Sequence, residues 1–136
     1  MDFLKTISVA ASGLRTQAGR MRIIAENIAN ADSTAQTPGA DPYRRKITTF
    51  QRRFDRELDA SLVDLGRVQR DAGAFKTSFE PGHPAADARG EVKLPNVDTM
   101  IESMDMREAQ RSYEANLNLV TATRRMIART IDILRV

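Results

Sequence analysis

The chain has 136 residues, of which 29% are charged, 41% hydrophobic and 5% aromatic, with no Trp and no Cys. That length and balance fit one folded domain rather than a disordered segment, and the lack of Cys excludes disulfides and thiolate metal sites while leaving the compartment open. Lys and Arg outnumber Asp and Glu by 21 to 18, a net charge of +3 spread along the chain, and no run of about eighteen apolar residues is present to cross a bilayer.

Asp2 has a carboxylate suited to cap free amides at the positive end of a helix, and a first helix is expected from there to about Asn30. The opening Met1-Asp2-Phe3-Leu4-Lys5 lacks a basic stretch followed by an unbroken apolar core, so no cleaved secretory signal is expected. Within the helix, Ile7, Ala11, Leu14, Ala18, Met21, Ala25 and Ile28 alternate at intervals of four and three. This is a heptad seam, one narrow stripe of the kind that packs in coiled coils. Its three Ala allow a close partner backbone. Burying Ile7, Leu14, Met21 and Ile28 is worth roughly 1.5–3 kcal/mol each, and an isolated helix of this length is marginal in water. The seam therefore needs a partner, in this chain or another.

Residues 31–42 carry two Pro, a Gly and several short polar side chains, and read as a loop. Tyr43 to Phe50 is rich in aromatic and β-branched residues and reads as a strand or extended arm. Gln51 to Leu65 supports two readings: Phe54, Leu58, Leu62 and Leu65 recur at helical spacing, and an extended conformation is equally open. Gly66 to Arg70 and Ala74 to Glu80, across Asp71-Ala72-Gly73, read as a hairpin. Val92 to Pro95 reads as a short extended piece.

Asn96 and Asp98 are candidate N-caps of a second long helix, and Thr99-Met100-Ile101-Glu102 has capping-box spacing. Met100, Met104, Ala109, Tyr113, Leu117, Val120, Ile127, Ile131 and Leu134 keep to one face as far as the C-terminus. The last six form the second half of the expected assembly seam. Asp98, Glu102, Asp105 and Glu108 at the start, with Arg124, Arg125, Arg129 and Arg135 at the end, match the helix dipole.

The organisation expected is an N-terminal assembly helix at 1–30, a loop and β-rich insert at 31–98, and a C-terminal assembly helix at 99–136. The fold class expected is mainly α with a small β insert. Few aromatics and many Ala and Met favour an elongated molecule, and the terminal helices can pair antiparallel in a coiled-coil-like way because loop-closure entropy grows slowly with length. Each stripe with its Ala-rich flanks is wider than one contact. Neighbouring copies are expected to cover the remainder.

Two sets of residues carry a resemblance across nearly the whole chain. The first is Ala11-Ser12-Gly13-Leu14, then Glu26-Asn27-Ile28-Ala29-Asn30, Thr34 and Pro42-Tyr43-Arg44-Arg45-Lys46. The second is His83-Pro84, Ala86-Asp87, Gly90, Leu94-Pro95-Asn96-Val97-Asp98 and Glu108 through Asn116. Together they resemble the axial proteins of the bacterial flagellum. The first set is common to rod, hook and hook-cap members, while the second and the short length resemble a proximal rod member of the basal body. Glu91 departs from the pattern, standing where an aromatic is expected. The resemblance implies a non-enzymatic subunit without cofactor or small-molecule substrate. Its terminal helices would assemble into a helical tube that transmits torque and encloses the export channel. Implied partners are copies of itself, other rod proteins, and membrane-ring and export-gate proteins at the rod base. The implied location is the basal-body rod across the periplasm, reached through the flagellar type III apparatus.

The residues suggest little other chemistry. His83, Asp87 and Glu91 recur at intervals of four, but Pro84 and Gly90 break a common helical face and one imidazole rarely holds a metal, so His83 reads as a turn residue. No nucleophile, base and acid set is present around that lone imidazole, and no Gly-rich phosphate loop occurs. Arg44, Arg45, Lys46, Arg52 and Arg53, interleaved with Tyr43, Phe50 and Phe54, form the one basic cluster. The alternative function it supports is a small basic nucleic-acid-binding helical protein; the preferred reading is a face bonded to solvent or to acids of the next subunit. Asn27 and Asn30 either fix register against neighbouring backbone or cap the helix end. Gly13 permits close helix approach.

Overall fold

A computed structural model describes residues 2–135; the outermost residue of each expected terminal segment lies outside that range. Helix α1, Phe3–Ala29, starts where Lys5 N donates to Asp2 Oδ1 at 3.1 Å. It ends where the Asn30 backbone N and Nδ2 both donate to Glu26 O, at 3.1 and 2.9 Å. Helix α2, Thr99–Leu134, starts under Asp98, whose Oδ1 accepts from Met100 N at 2.9 Å and Ile101 N at 3.4 Å. These bonds satisfy amide donors that a helix start leaves open.

Between the helices lie β1 (Lys46–Ile47), β2 (Phe50–Asp55), β3 (Ala60–Leu65), β4 (Gln69–Arg70), β5 (Lys76–Phe79) and β6 (Glu91–Leu94). They pair antiparallel as β1 with β4, β2 with β3, and β5 with β6. This corrects the expected fold class. Two terminal helices are present, but the centre is a β-rich region of three two-stranded sheets, and the chain is not a mainly α protein with a small insert.

Local expectations are settled or changed with it. Residues 51–65 form the β2–β3 hairpin. Its turn is closed by Asp55 Oδ1, which accepts from Glu57 N and Leu58 N at 3.1 and 3.2 Å, and by Asp59 at a left-handed φ of 46°. Ala60 and Leu62 are buried while the alternating Ser61 and Val63 are exposed, so period two governs and the helical spacing is incidental. The hairpin expected across Asp71-Ala72-Gly73 does not form. The carbonyls of Asp71 and Gly73 instead accept from Arg44 Nη1 at 3.0 and 3.1 Å, and Asp71 N donates to Arg45 O at 2.8 Å. The bend is thus tied to the 44–47 segment and its flanking strands find other partners. The expected 43–50 strand pairs with β4 only at Lys46 and Ile47. Finally, Asn96 does not cap a helix: its Oδ1 accepts from Arg45 N at 2.8 Å. Glu102 does not close a capping box; its carboxylate is taken by Arg45 and Asn27.

The chain divides into two compact units. The first comprises α1 up to Met21, Thr49–Gly66 and α2 from Arg107. Here the backbone of Val63 is met by side chains of α1: Val63 N donates to Ser12 Oγ at 3.2 Å, and Thr16 Oγ1 donates to Val63 O at 3.0 Å. An edge strand is thereby satisfied without another strand. Gly19 lies under Leu65, where a Cβ would come within 2.9 Å of that side chain. The second unit comprises Arg22–Thr48 and Arg67–Met106. Its buried apolar residues include Ile23, Ile24, Val92 and Val97.

Gly66 closes the β2–β3 unit by donating to Thr49 O at 2.6 Å, and a Cβ there would lie 2.5 Å from Thr49 Oγ1 and 2.9 Å from its carbonyl. Gly66→Ala should lower the urea-unfolding free energy of the purified subunit by about 1–3 kcal/mol. Gly82→Ala, where a Cβ meets nothing within 4 Å, should change it by less than about 0.5 kcal/mol.

Candidate functional site

The two helices present candidate assembly faces, and they are not the faces the chain uses internally. On α1 the buried side chains include Ser12, Thr16, Ile23 and Asn27. With Gly19 they follow a helical repeat of four and three, about 100° around from the apolar heptad. None of the heptad is buried: Ile7, Ala11, Leu14, Met21 and Ile28 are half-buried, and Ala18 and Ala25 are exposed. On α2 the buried residues Glu102, Ala109 and Thr123 follow a seven-residue spacing with half-buried Asn116 between them. Tyr113, Val120 and Ile127 flank that stripe and are half-buried, while Leu117, Ile131 and Leu134 are 46%, 51% and 79% exposed. Leu119, Met126 and Ile133, another seven-residue series, are exposed as well.

The physical reason is the size of the inward residues. Within the first unit the helices approach closely enough that a Cβ at Gly13 would lie 2.8 Å from the Asn116 amide, and Arg20 reaches Glu108 at 3.5 Å. Small and hydrogen-bonding residues fit such an approach; branched apolar side chains do not. Sequence periodicity locates an amphipathic stripe on each helix, but Ser12, Thr16 and Thr123 give no apolar signal; Ser12 enters only through the family resemblance, and Thr16 and Thr123 are missed.

In the second unit a polar node joins the family-pattern residues. The Glu102 carboxylate, 1% exposed, accepts from Arg45 Nε at 2.6 Å and from Asn27 Nδ2 at 3.0 Å. Asn27 Nδ2 also donates to Lys46 O at 2.8 Å, and Asn27 Oδ1 accepts from Lys46 N at 2.9 Å and from the Tyr43 hydroxyl at 2.8 Å. One asparagine thus reads both backbone polar groups of Lys46, which fixes the register of β1 on α1. Asn30 serves the helix end instead. Arg45 further approaches Asp71 at 3.5 Å and Asp105 at 3.7 Å. Burial pulls the Arg45 pKa down, but the hydrogen bond and charge of Glu102, then those of Asp71, outweigh it, and the net shift is upward. Burial first, then the charges of Glu26 and Glu102, push the Tyr43 hydroxyl up to about 12.

The remaining pattern residues hold turns. His83 Nδ1 accepts from Ala85 N at 3.0 Å while Nε2 meets Thr34 Oγ1 at 3.3 Å; Pro84 is exposed between them, and Pro95 is fully buried beside β6. Asp87 Oδ1 accepts from Arg89 N and Glu91 N at 2.8 and 2.9 Å, and these backbone bonds hold its pKa below the usual value. Glu91 pairs across the sheet with Phe79, and a Cβ at Gly90 would sit 3.0 Å from the Phe79 ring. Phe79, 72% exposed, is the aromatic beside that turn.

The basic cluster is largely spent within the chain. Arg44 lies 4.1 Å from the Phe75 ring centroid besides donating to the 71–73 bend, Arg45 serves Glu102, Lys46 pairs with Glu26, and Arg53 reaches Asp64 at 2.6 Å. Arg44, Arg45, Lys46 and Arg53 of the cluster thus have intrachain partners, while Arg52 is exposed.

Arg45→Met strands a buried carboxylate and should cost about 3–5 kcal/mol. Adding Glu102→Leu should recover most of that in a denaturation cycle, because the stranded charge is then gone. Tyr43 provides a pH signature. Its pKa is raised on folding, so its contribution is complete below the unfolded value near 10 and is lost as pH rises toward about 12. Stability should therefore fall across pH 10–12 more steeply in the natural chain than in Tyr43→Phe.

Two family patterns match the chain at its ends: the flagella basal body rod protein pattern over residues 7–35, and the C-terminal pattern of the flagellar basal body rod FlgEFG proteins over residues 88–133. The flagellar basal-body rod protein FlgC of Agrobacterium fabrum is 51% identical over 136 residues, covering 99% of this chain and 98% of its own. The FlgC proteins of Salmonella typhimurium and Aquifex aeolicus are 35% and 34% identical, with 98% and 97% of both chains covered. Identity on that scale over whole chains, with the rod patterns falling on both terminal helices, means that this chain belongs to the FlgC family of flagellar basal-body rod proteins and is a structural subunit of the basal-body rod.

Proposed function

We propose that the subunit polymerises through its terminal helices, with the half-exposed heptad of α1 and the exposed stripes of α2 covered by copies of itself and by other rod proteins. The carrying observation is the mismatch between apolar and buried faces. Apart from Ile23 and Ile24 on α1, the buried residues of each helix are small or polar, and Leu14, Met21, Ile28, Leu117, Ile131 and Leu134 are left with incomplete cover. Sheltering such side chains is worth roughly 1.5–3 kcal/mol for each one fully buried, and a series on two long helices is ample for a stable subunit contact. In this reading the helices, 1–30 and 99–136, build the hollow shaft that transmits torque and encloses the export channel. The region 31–98 forms its outer part, held in register on α1 by Asn27. Ring and export-gate proteins are its neighbours at the base, and the shaft crosses the periplasm.

Ala18 is exposed in the isolated subunit, so Ala18→Asp should leave its fold intact while placing a charge in the seam. Swimming and incorporation into isolated basal bodies should be lost, with the secreted subunit still detectable; Leu14→Asp should behave alike. Normal motility in both variants would remove the seam from the account.

A further inference from the structure

We infer that a polar cleft in the second unit is a binding site for a carboxylate group. The cleft has a volume of about 450 Å³ and is lined by Glu26 near the end of α1, by Asp41, Tyr43 and Arg44 of the segment before β1, and by Lys46 and Arg70 of the β1–β4 pair. Each acid already has a cation of its own, Glu26 in Lys46 and Asp41 in Lys93 at 3.2 Å. Among the described residues, Arg44 and Arg70 have no carboxylate partner. The cleft therefore carries more positive charge than its own acids offset.

The strand register places that surplus. Lys46 and Arg70 stand directly opposite each other in the antiparallel pair, so their side chains leave one face of the sheet with Cβ atoms roughly 4.5–5.5 Å apart. Like charges so placed destabilise a sheet, and Glu26 relieves only Lys46. Arg70 has no side-chain partner among the described residues; an anion from outside removes the repulsion that the fold leaves in place. Arg44 supplies the second set of donors. Its Nη1 is fixed by the carbonyls of Asp71 and Gly73 at 3.0 and 3.1 Å, its guanidinium lies 4.1 Å from the Phe75 ring centroid, and its Nε and Nη2 have no acceptor among the described residues. A cation held still with donors to spare is preorganised for a ligand. Arginine forks match the paired oxygens of a carboxylate, whereas a dianion such as phosphate meets stronger repulsion from Glu26 and Asp41 in the same cleft. The group has two sources, an acidic side chain of a neighbouring rod subunit or a free carboxylate solute. The site does not depend on the assembly reading above; the first source does.

Three measurements on the full-length subunit test this. In the first, the arginine Nε–H resonances of the free subunit are followed by NMR during titration with sodium acetate and, separately, with sodium chloride at matched ionic strength. Arg44 and Arg70 should shift along a saturable curve with acetate alone, and Arg70→Gln should weaken the Arg44 response about tenfold, the scale of one hydrogen bond to a charged group. No saturable shift, an equal shift with chloride, or the same shift at Arg52, which is exposed outside the cleft, overturns the site. In the second, Arg70→Gln should melt in chloride at the same or a higher temperature than the natural chain, since it removes the like charge beside Lys46; a lower melting temperature gives Arg70 an intrachain role and overturns the inference. In the third, incorporation into basal bodies separates the sources. Incorporation lost in Arg70→Gln assigns the carboxylate to a neighbouring subunit, and normal incorporation, with acetate still binding the natural chain, assigns it to a solute. Normal rods from Ala18→Asp and Leu14→Asp would sink the assembly reading, and the neighbouring source with it, while the acetate titration still decides the site.

Discussion

The carboxylate of Glu102, almost fully removed from solvent, obliges the rest of its unit to come together around it. A buried charge is tolerated only when paired and hydrogen-bonded, and here one partner, Arg45, comes from the segment before β1 while the other, Asn27, comes from the last turns of α1. Three stretches far apart in the chain must meet for any of them to be satisfied. Asn27 extends the requirement to both backbone groups of Lys46 and to the Tyr43 hydroxyl. The polar groups of the family pattern thus fix how the β region is seated on the helices of that unit, a task in which register counts for more than net stability.

The same preference for polar and small inward faces recurs in the first unit. Ser12 and Thr16 take up the backbone of Val63, Gly13 faces Asn116, and Gly19 admits Leu65. A monomer built for independent stability would turn Leu14, Met21 and Leu117 inward, since hydrophobic burial is the dominant favourable term in folding. This chain leaves Leu14 and Met21 half-buried and Leu117 exposed. The arrangement suits a structural subunit of the rod, because a stripe hidden within one molecule has nothing to offer the next.

Much of this is legible in the sequence, and the failures share a cause. The caps at Asp2 and Asp98 and the ends of both helices were readable because they depend on residues within one turn. The apolar heptads were readable as stripes, but periodicity does not say what covers a stripe, and the inward faces of Ser, Thr and Asn carry no hydrophobic signal. Glu102 looked like half of a capping box because its distant partners, Arg45 and Asn27, are invisible locally. The hairpin expected across residues 71–73 fails for the same reason: Arg44 Nη1 and Asn96 Nδ2, remote in sequence, both donate to the carbonyls of Asp71 and Gly73 and hold that bend. The size of the β region was underestimated because its strands are two to six residues long and pair partly with non-neighbours, β1 with β4.

The most direct test of the account is thiol accessibility in the free subunit and in the rod. A cysteine at Ala18, on the outward heptad, should react rapidly with a soluble maleimide in the purified subunit and become protected once that subunit is part of isolated basal bodies. A cysteine at Ser12, on the inward face, should be protected in both. Equal reactivity of position 18 before and after assembly would contradict the claim that neighbouring molecules cover the stripe.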